Sequence, residues 1–357
     1  MLLGSCASER PAPAPAPVSP VRPTDPRALI LRSIPQGVSD RAGWEADVYA
    51  GFMALKVPAT PDNICAVAAV IEQESGFHVD PVIPGLPAIA WREIDKRAEH
   101  AGIPTTVVHE VLQLKSSSGQ TYAERIDLAR TEKDLSDVFE DFTGSVPLGR
   151  SVFASWNPIR TRGPMQVNVA FAEQFAKTAP YPYPVKVSIA DELFTRRGSV
   201  YFGIAHLLDY QAPYDRYLYR FADYNAGQYA SRNAAFQSAL ARASGTPLVP
   251  DGALVSHGGL LIPGEGNTEL AARSLADRLN LGDDAIRSAL EEGRTQAFER
   301  TALYQHVFAL ADRAAGRPLP RAIVPSISLK GPKIRSTLTT EWYAHRVNER
   351  FTQCLGN

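Results

Sequence analysis

Apolar residues recur along this chain with the period of a helix far more often than with the alternation of a strand. Trp44, Val48 and Phe52 follow Asp40 at one-turn spacings, predicting a helix near 40–52. A stronger pattern follows, with Ile64, Val67, Ala68 and Ile71 on one face. Thr60 is placed to cap that helix, Pro61 suits its first turn and Gly76 stops it. Residues 78–160 are mixed: Pro81, Pro84, Gly85, Pro87 and Pro104 break the first part, then 105–115 and 121–141 read as helical. Pro164 is expected to open a helix over Met165–Lys177. Ser188-Ile189-Ala190-Asp191 has capping-box form, with Asp for the usual Glu, and starts a pattern reaching Tyr210. Another runs from Tyr214 to Tyr224 and ends near Gly227. Beyond a Pro/Gly-rich break at 245–267, helices are expected at 269–280, 283–293 and 296–315. A Pro-rich loop spans 316–333, and an aromatic-bearing helix closes the chain at Thr340–Cys354. Strand patterns are few and short, so the fold class is mainly α.

Composition narrows the class. The 357 residues suffice for a sizeable core, and 45% hydrophobic with 21% charged residues is ordinary for a folded protein. Lys and Arg number 37 against 38 Asp and Glu, a net charge of −1. That balance gives no basic surface for nucleic acid. No metal-ligand spacing or phosphate-binding glycine fingerprint is present, so neither cofactor nor metal is expected. His109-Glu110-Val111-Leu112-Gln113 lacks the second histidine of a zinc-protease helix.

The most informative side chain is Glu74. At about 100° per residue it lies roughly 20° from Val67, on the apolar stripe of its helix, whereas Glu72 falls roughly 140° away on the wet side. A carboxylate on a buried face is disfavoured in its charged form, and a glutamate tuned upward can donate a proton near neutral pH. By itself this pattern equally describes a buried structural glutamate.

Two distant segments change its weight. Val70-Ile71-Glu72-Gln73-Glu74-Ser75-Gly76-Phe77 resembles the catalytic motif of the lytic transglycosylases, in which a Glu-Ser pair ends a helix. Gly163-Pro164-Met165-Gln166, preceded by Asn157-Pro158, resembles their Gly-Leu-Met-Gln signature. Ala222-Asp223-Tyr224-Asn225-Ala226-Gly227 resembles their Ala-Tyr-Asn-Ala-Gly signature. The order along the chain agrees, and the resemblance covers 60–77 and 157–235. It implies a lysozyme-like helical domain that cleaves the MurNAc–GlcNAc β-1,4 bond of peptidoglycan, leaving a 1,6-anhydro end. Carried over by position, Glu74 is the acid/base. Ser75, Asn157, Met165, Gln166, Tyr224 and Asn225 contact substrate or shape the cleft, with Tyr224 bonded to the catalytic carboxylate.

This sequence departs from the family where about 80 residues separate the first two motifs. The lysozyme-like domain, 28–357, would therefore carry an insertion at about 78–160 and a C-terminal extension at about 240–357. Arg160 and Arg162 stand near the site, where they would contact substrate carboxylates or obstruct glycan. A hydrolytic, goose-type muramidase is the alternative, with Asp80, Glu93 or Asp223 as second acid; a non-catalytic peptidoglycan-binding lipoprotein is another.

Residues 1–27 read as a tether. Leu3-Gly4-Ser5-Cys6 resembles the lipobox of bacterial lipoproteins, and the Pro-Ala alternation that follows reads as an extended spacer. The resemblance implies a lipid anchor on Cys6 and a periplasmic protein held at the outer membrane. Of the other cysteines, Cys65 and Cys354 either pair in that oxidising setting or Cys65 is a buried thiol.

Overall fold

The computed structural model describes residues 25–145, 159–255, 266–329 and 338–356; Cys6 and Asn157 lie outside them. Its helices are α1 Pro26–Ser33, α2 Arg41–Leu55, α3 Pro61–Ser75, α4 Leu86–His100, α5 Thr105–Leu112, α6 Tyr122–Leu128 and α7 Glu132–Ser145. Strands β1 Thr161–Arg162 and β2 Val167–Asn168 pair antiparallel, with Thr161 opposite Asn168. Then come α8 Val169–Thr178, α9 Ile189–Glu192, α10 Arg196–Leu208, α11 Tyr217–Ala226 and α12 Ala230–Ser244. The last third holds α13 Asn267–Arg273, α14 Ala276–Leu279, α15 Asp283–Glu291, α16 Ala302–Ala315, the pair β3 Ser328–Leu329 and β4 Leu338–Thr339, and α17 Thr340–Leu355. The fold is mainly α. Among the described residues, no helix is long and apolar enough to cross a membrane.

Three hydrophobic clusters divide the molecule. The first gathers α1, α2, α3, α8, α10, α11 and α17 around Trp44, Phe52, Val67, Ile71, Met165, Phe202, Phe221 and Val347. The second lies among α12–α16 around Phe236, Phe298 and Phe308. The third belongs to α4–α7, around Leu112, Tyr122, Ile126 and Val138. The insertion thus has an apolar centre of its own. The extension drawn from 240 to 357 splits: 267–315 packs on the second cluster, but α17 returns to the first and lies against α3 and α11. A disulfide between Cys65 of α3 and Cys354 of α17 seals that return, with Cα atoms 5.6 Å apart.

Local expectations hold where caps and periodicity agree. The Thr60 side chain accepts from Asn63 N–H, and Gly76 leaves α3 in the left-handed region at φ 58°. Two differ. Residues 86–100 form a helix, because Gly85 and Pro87 start it rather than break it. The helix expected from Met165 begins only at Val169, where the Asn168 side chain caps it. Gly163 and Gln166 both have positive φ, 73° and 49°, so 163–166 closes a hairpin.

Candidate active site

The C-terminus of α3 delivers Glu74. Eight consecutive buried residues, Ile64 to Ile71, fix the helix, and the αL exit at Gly76 and Phe77 turns the chain away immediately after Ser75. Phe77 drives edge-on against Trp44 of α2, with ring centroids 5.2 Å apart, anchoring the exit in the core. Glu74 itself is half-buried. Its Oε1 accepts a hydrogen bond of 2.6 Å from the Tyr343 hydroxyl, which comes from α17, 269 residues later. Ser75 turns inward, donating to the Ile71 carbonyl at 3.1 Å. His78 Nδ1 lies 2.9 Å from the Ser75 carbonyl, a local turn contact.

The hairpin holds the second motif under α10. A Cβ on Gly163 would stand 1.8 Å from the Leu193 carbonyl oxygen, so only glycine fits. Met165 is fully buried beneath Gly203, where an added Cβ would come within 2.2 Å of its sulfur. Its side chain is therefore core and corrects the expectation that it lines a cleft. What Met165 offers the site is backbone: its N–H donates to Ser199 Oγ at 3.0 Å, and its carbonyl accepts from the Tyr224 hydroxyl at 2.7 Å. Tyr224 was expected on the carboxylate, but its proton goes to this carbonyl, and Tyr343 takes the carboxylate.

Gln166 is partly exposed, yet its amide is committed inside the protein. Its Oε1 accepts from Thr161 at 2.9 Å, and its Nε2 donates to Glu132 at 2.8 Å and to the Gly163 carbonyl at 3.2 Å. Glu132 opens α7, so the insertion returns to the hairpin at this residue. Arg162 reinforces the same junction. It is buried, with Nη2 3.1 Å from Glu140 of α7 and its guanidinium over the Phe194 ring. Arg162 is thus removed from any glycan, whereas Arg160 is exposed.

The third motif splits its duties by helical phase. Tyr224 faces Glu74. Asn225, exposed, accepts from the Thr340 hydroxyl at 2.8 Å and steers α17 into place. Asp223 faces the other way and is buried, accepting from the hydroxyls of Tyr210 and Tyr214 and the N–H groups of Tyr229 and Ser231 at 2.6–3.0 Å. Burial pushes its carboxyl up to about 6. These four donors make Asp223 a structural hub rather than a second acid. Asp80 sits beside Thr131 and Asp134 at the foot of α7, its carboxyl raised by burial.

Electrostatics couple Tyr224 and Tyr343 to Glu74. Burial first, then the charge of Glu74, raises the phenols of Tyr224 and Tyr343 well above their ordinary value. Both remain protonated hydrogen-bond donors at any working pH. The geometry is a half-buried carboxylate oriented by one tyrosine, with a second tyrosine bridging to the residue before Gln166. Such a group can pass a proton to a leaving oxygen and take one back. Glu132, Thr161, Thr340 and Tyr343 were not singled out from sequence. Tyr343 had one signal, its one-turn spacing from Val347 and Phe351 on a single helix face. Among the described residues no cluster of ligating side chains suits a metal. Two cavities, of about 520 and 500 Å³, lie elsewhere, one beside Tyr217 and Arg220 and one behind the disulfide.

Comparison with known proteins is concordant over nearly the whole chain. It is 45% identical over 355 residues to "Uncharacterized protein YaiW" of Escherichia coli (strain K12), spanning 99% of this chain and 95% of that protein. No solved structure matches it. With a family model aligned to residues 37–357, from before α2 to the end of α17, the chain belongs to the family described as "Protein of unknown function (DUF1615)".

Proposed function

We propose that this protein is a glycan-cleaving enzyme of lytic transglycosylase type, acting on peptidoglycan strands with Glu74 as its acid/base. One observation carries the proposal. The end of α3, the hairpin and α11 supply the three motifs: Tyr224 of α11 bonds to Met165 of the hairpin and lies within reach of the charge of Glu74, while Tyr343 of α17 holds that carboxylate.

In the reaction, protonated Glu74 gives its proton to the glycosidic oxygen as the C1–O bond breaks. The carboxylate then takes the proton of the MurNAc 6-hydroxyl, whose oxygen closes on C1. Glu74 ends protonated, as it began, and no water is consumed. This differs from the usual pair of carboxylates in glycosidases. Tyr343 holds the carboxylate in place through both halves. The disulfide supports a periplasmic setting, since such bonds persist in oxidising compartments. The tether on Cys6 is proposed with it, and mass analysis of the membrane-extracted protein tests for acylation.

Purified sacculi test the activity. The parent protein should release muropeptides with 1,6-anhydro ends, and Glu74→Gln should release none. Equal digestion by both would sink the assignment. Reducing ends without anhydro sugar would instead favour a hydrolytic muramidase. A second reading, binding without turnover, is favoured by the internal commitment of the Gln166 amide to Thr161, Glu132 and Gly163. Sacculus binding with no released product would establish it.

A further inference from the structure

We propose that the cavity behind the Cys65–Cys354 disulfide binds the free carboxy terminus of a short apolar peptide. The cavity measures about 500 Å³ and opens between α1, α3 and the end of α17, within the roughly 300–1,000 Å³ usual for small-ligand sites. Leu29, Ile64 and Leu355 supply apolar wall, and the disulfide joins two of its sides. Arg32, Arg350 and Glu72 supply charge.

Those charges carry the inference. Among the described residues, neither Arg32, Arg350 nor Glu72 has an ion-pair or side-chain hydrogen-bond partner. Arg350 is half-buried, and its Nε is buried with no protein acceptor. Native proteins rarely leave a buried cationic donor unsatisfied, because its lost hydration is then uncompensated. Guanidinium groups match carboxylates in a planar fork, so an anion of that shape satisfies them best. Glu72 opposes a second negative charge and offers an acceptor for an N–H. A peptide end has one carboxylate, one amide N–H beside it and an apolar side chain for the wall. A fatty acid lacks the N–H. The site is independent of Glu74: the two glutamates are two positions apart, roughly 200° around α3.

Calorimetric titration with acetyl-Ala-Val-Leu tests this, against the same peptide as its C-terminal amide and against octanoate. The acid should bind saturably, and the amide and octanoate at least about tenfold more weakly, the size of a charge-assisted hydrogen bond. Arg350→Gln should weaken the acid by at least about tenfold at an unchanged thermal midpoint. If that variant fails to fold, exposed Arg32→Gln takes its place with the same expectation. Absent binding, equal binding of acid and amide, or an unaffected arginine variant would overturn the proposal. Octanoate binding as tightly as the peptide would also overturn it, by removing the role of Glu72.

Discussion

Removing the disulfide by Cys65→Ala with Cys354→Ala should lower global stability by several kcal/mol while leaving the fold intact. The bond closes a loop with a sequence separation of 289 residues. The chain-entropy relation for a loop of that length gives about 5–6 kcal/mol at 25 °C. Measured losses run lower, about 2–5 kcal/mol, because unfolded chains retain structure. The helix it tethers does not depend on it alone. Tyr343, Ala344, Val347 and Phe351 of α17 are buried against the first cluster, and a fully buried large apolar side chain contributes about 1.5–3 kcal/mol. The variant should therefore fold with α17 docked and unfold at a lower urea midpoint. Circular dichroism with and without reductant measures this for both proteins. Reductant should lower the parent's midpoint and leave the variant's unchanged. Thiol titration in denaturant should find two more reactive cysteines after reduction than before. Coincident midpoints for parent and variant, or no gain of thiols when the parent is reduced, would refute the reasoning.

Two further outcomes follow from the same geometry. Tyr343→Phe removes the hydroxyl that orients Glu74 and should cut sacculus digestion about 10- to 100-fold, the worth of a hydrogen bond to a charged group, with little change in unfolding midpoint. His206 is buried between the Phe171 and Tyr224 rings, and burial pushes its pKa down to about 4. Its contribution to stability is fully present above the unfolded value of about 6.5 and is lost as pH falls toward 4, up to about 3 kcal/mol. Asp223, pushed up to about 6, has the opposite slope: its contribution is present below its ordinary 3.8 and is lost as pH rises through 6. Urea unfolding of parent and His206→Gln across pH 4–7 isolates the histidine, since Asp223 is common to both. A difference that stays flat with pH would refute the assignment of the slope to His206.

Much of the local architecture is legible in the residues themselves, because caps and periodicity act over a few positions. Thr60, Pro61 and Gly76 bound α3 without reference to the rest of the chain, and helical phase separates Glu74 from Glu72. Gly85 and Pro87 show the limit. The same two residues start or stop a helix, and only packing of Leu86 and Ile89 decides. At Gly163–Gln166 the local pattern favours a helix, but close packing of Gly163 against Leu193 and Ser199 imposes a hairpin.

The helical class, the bounds of α3 and the phase that puts Glu74 on its apolar face were legible in the sequence alone, since each rests on interactions within a turn or two. Tertiary structure decided what surrounds that carboxylate. Tyr343 reaches it from 269 residues away, Glu132 claims the Gln166 amide across the insertion, and Cys65 finds Cys354 only because α17 returns to α3. Contacts at such separations leave no local spacing to read. They exist because burying the apolar face of α17 against α3 and α11 outweighs the entropy of closing so long a loop.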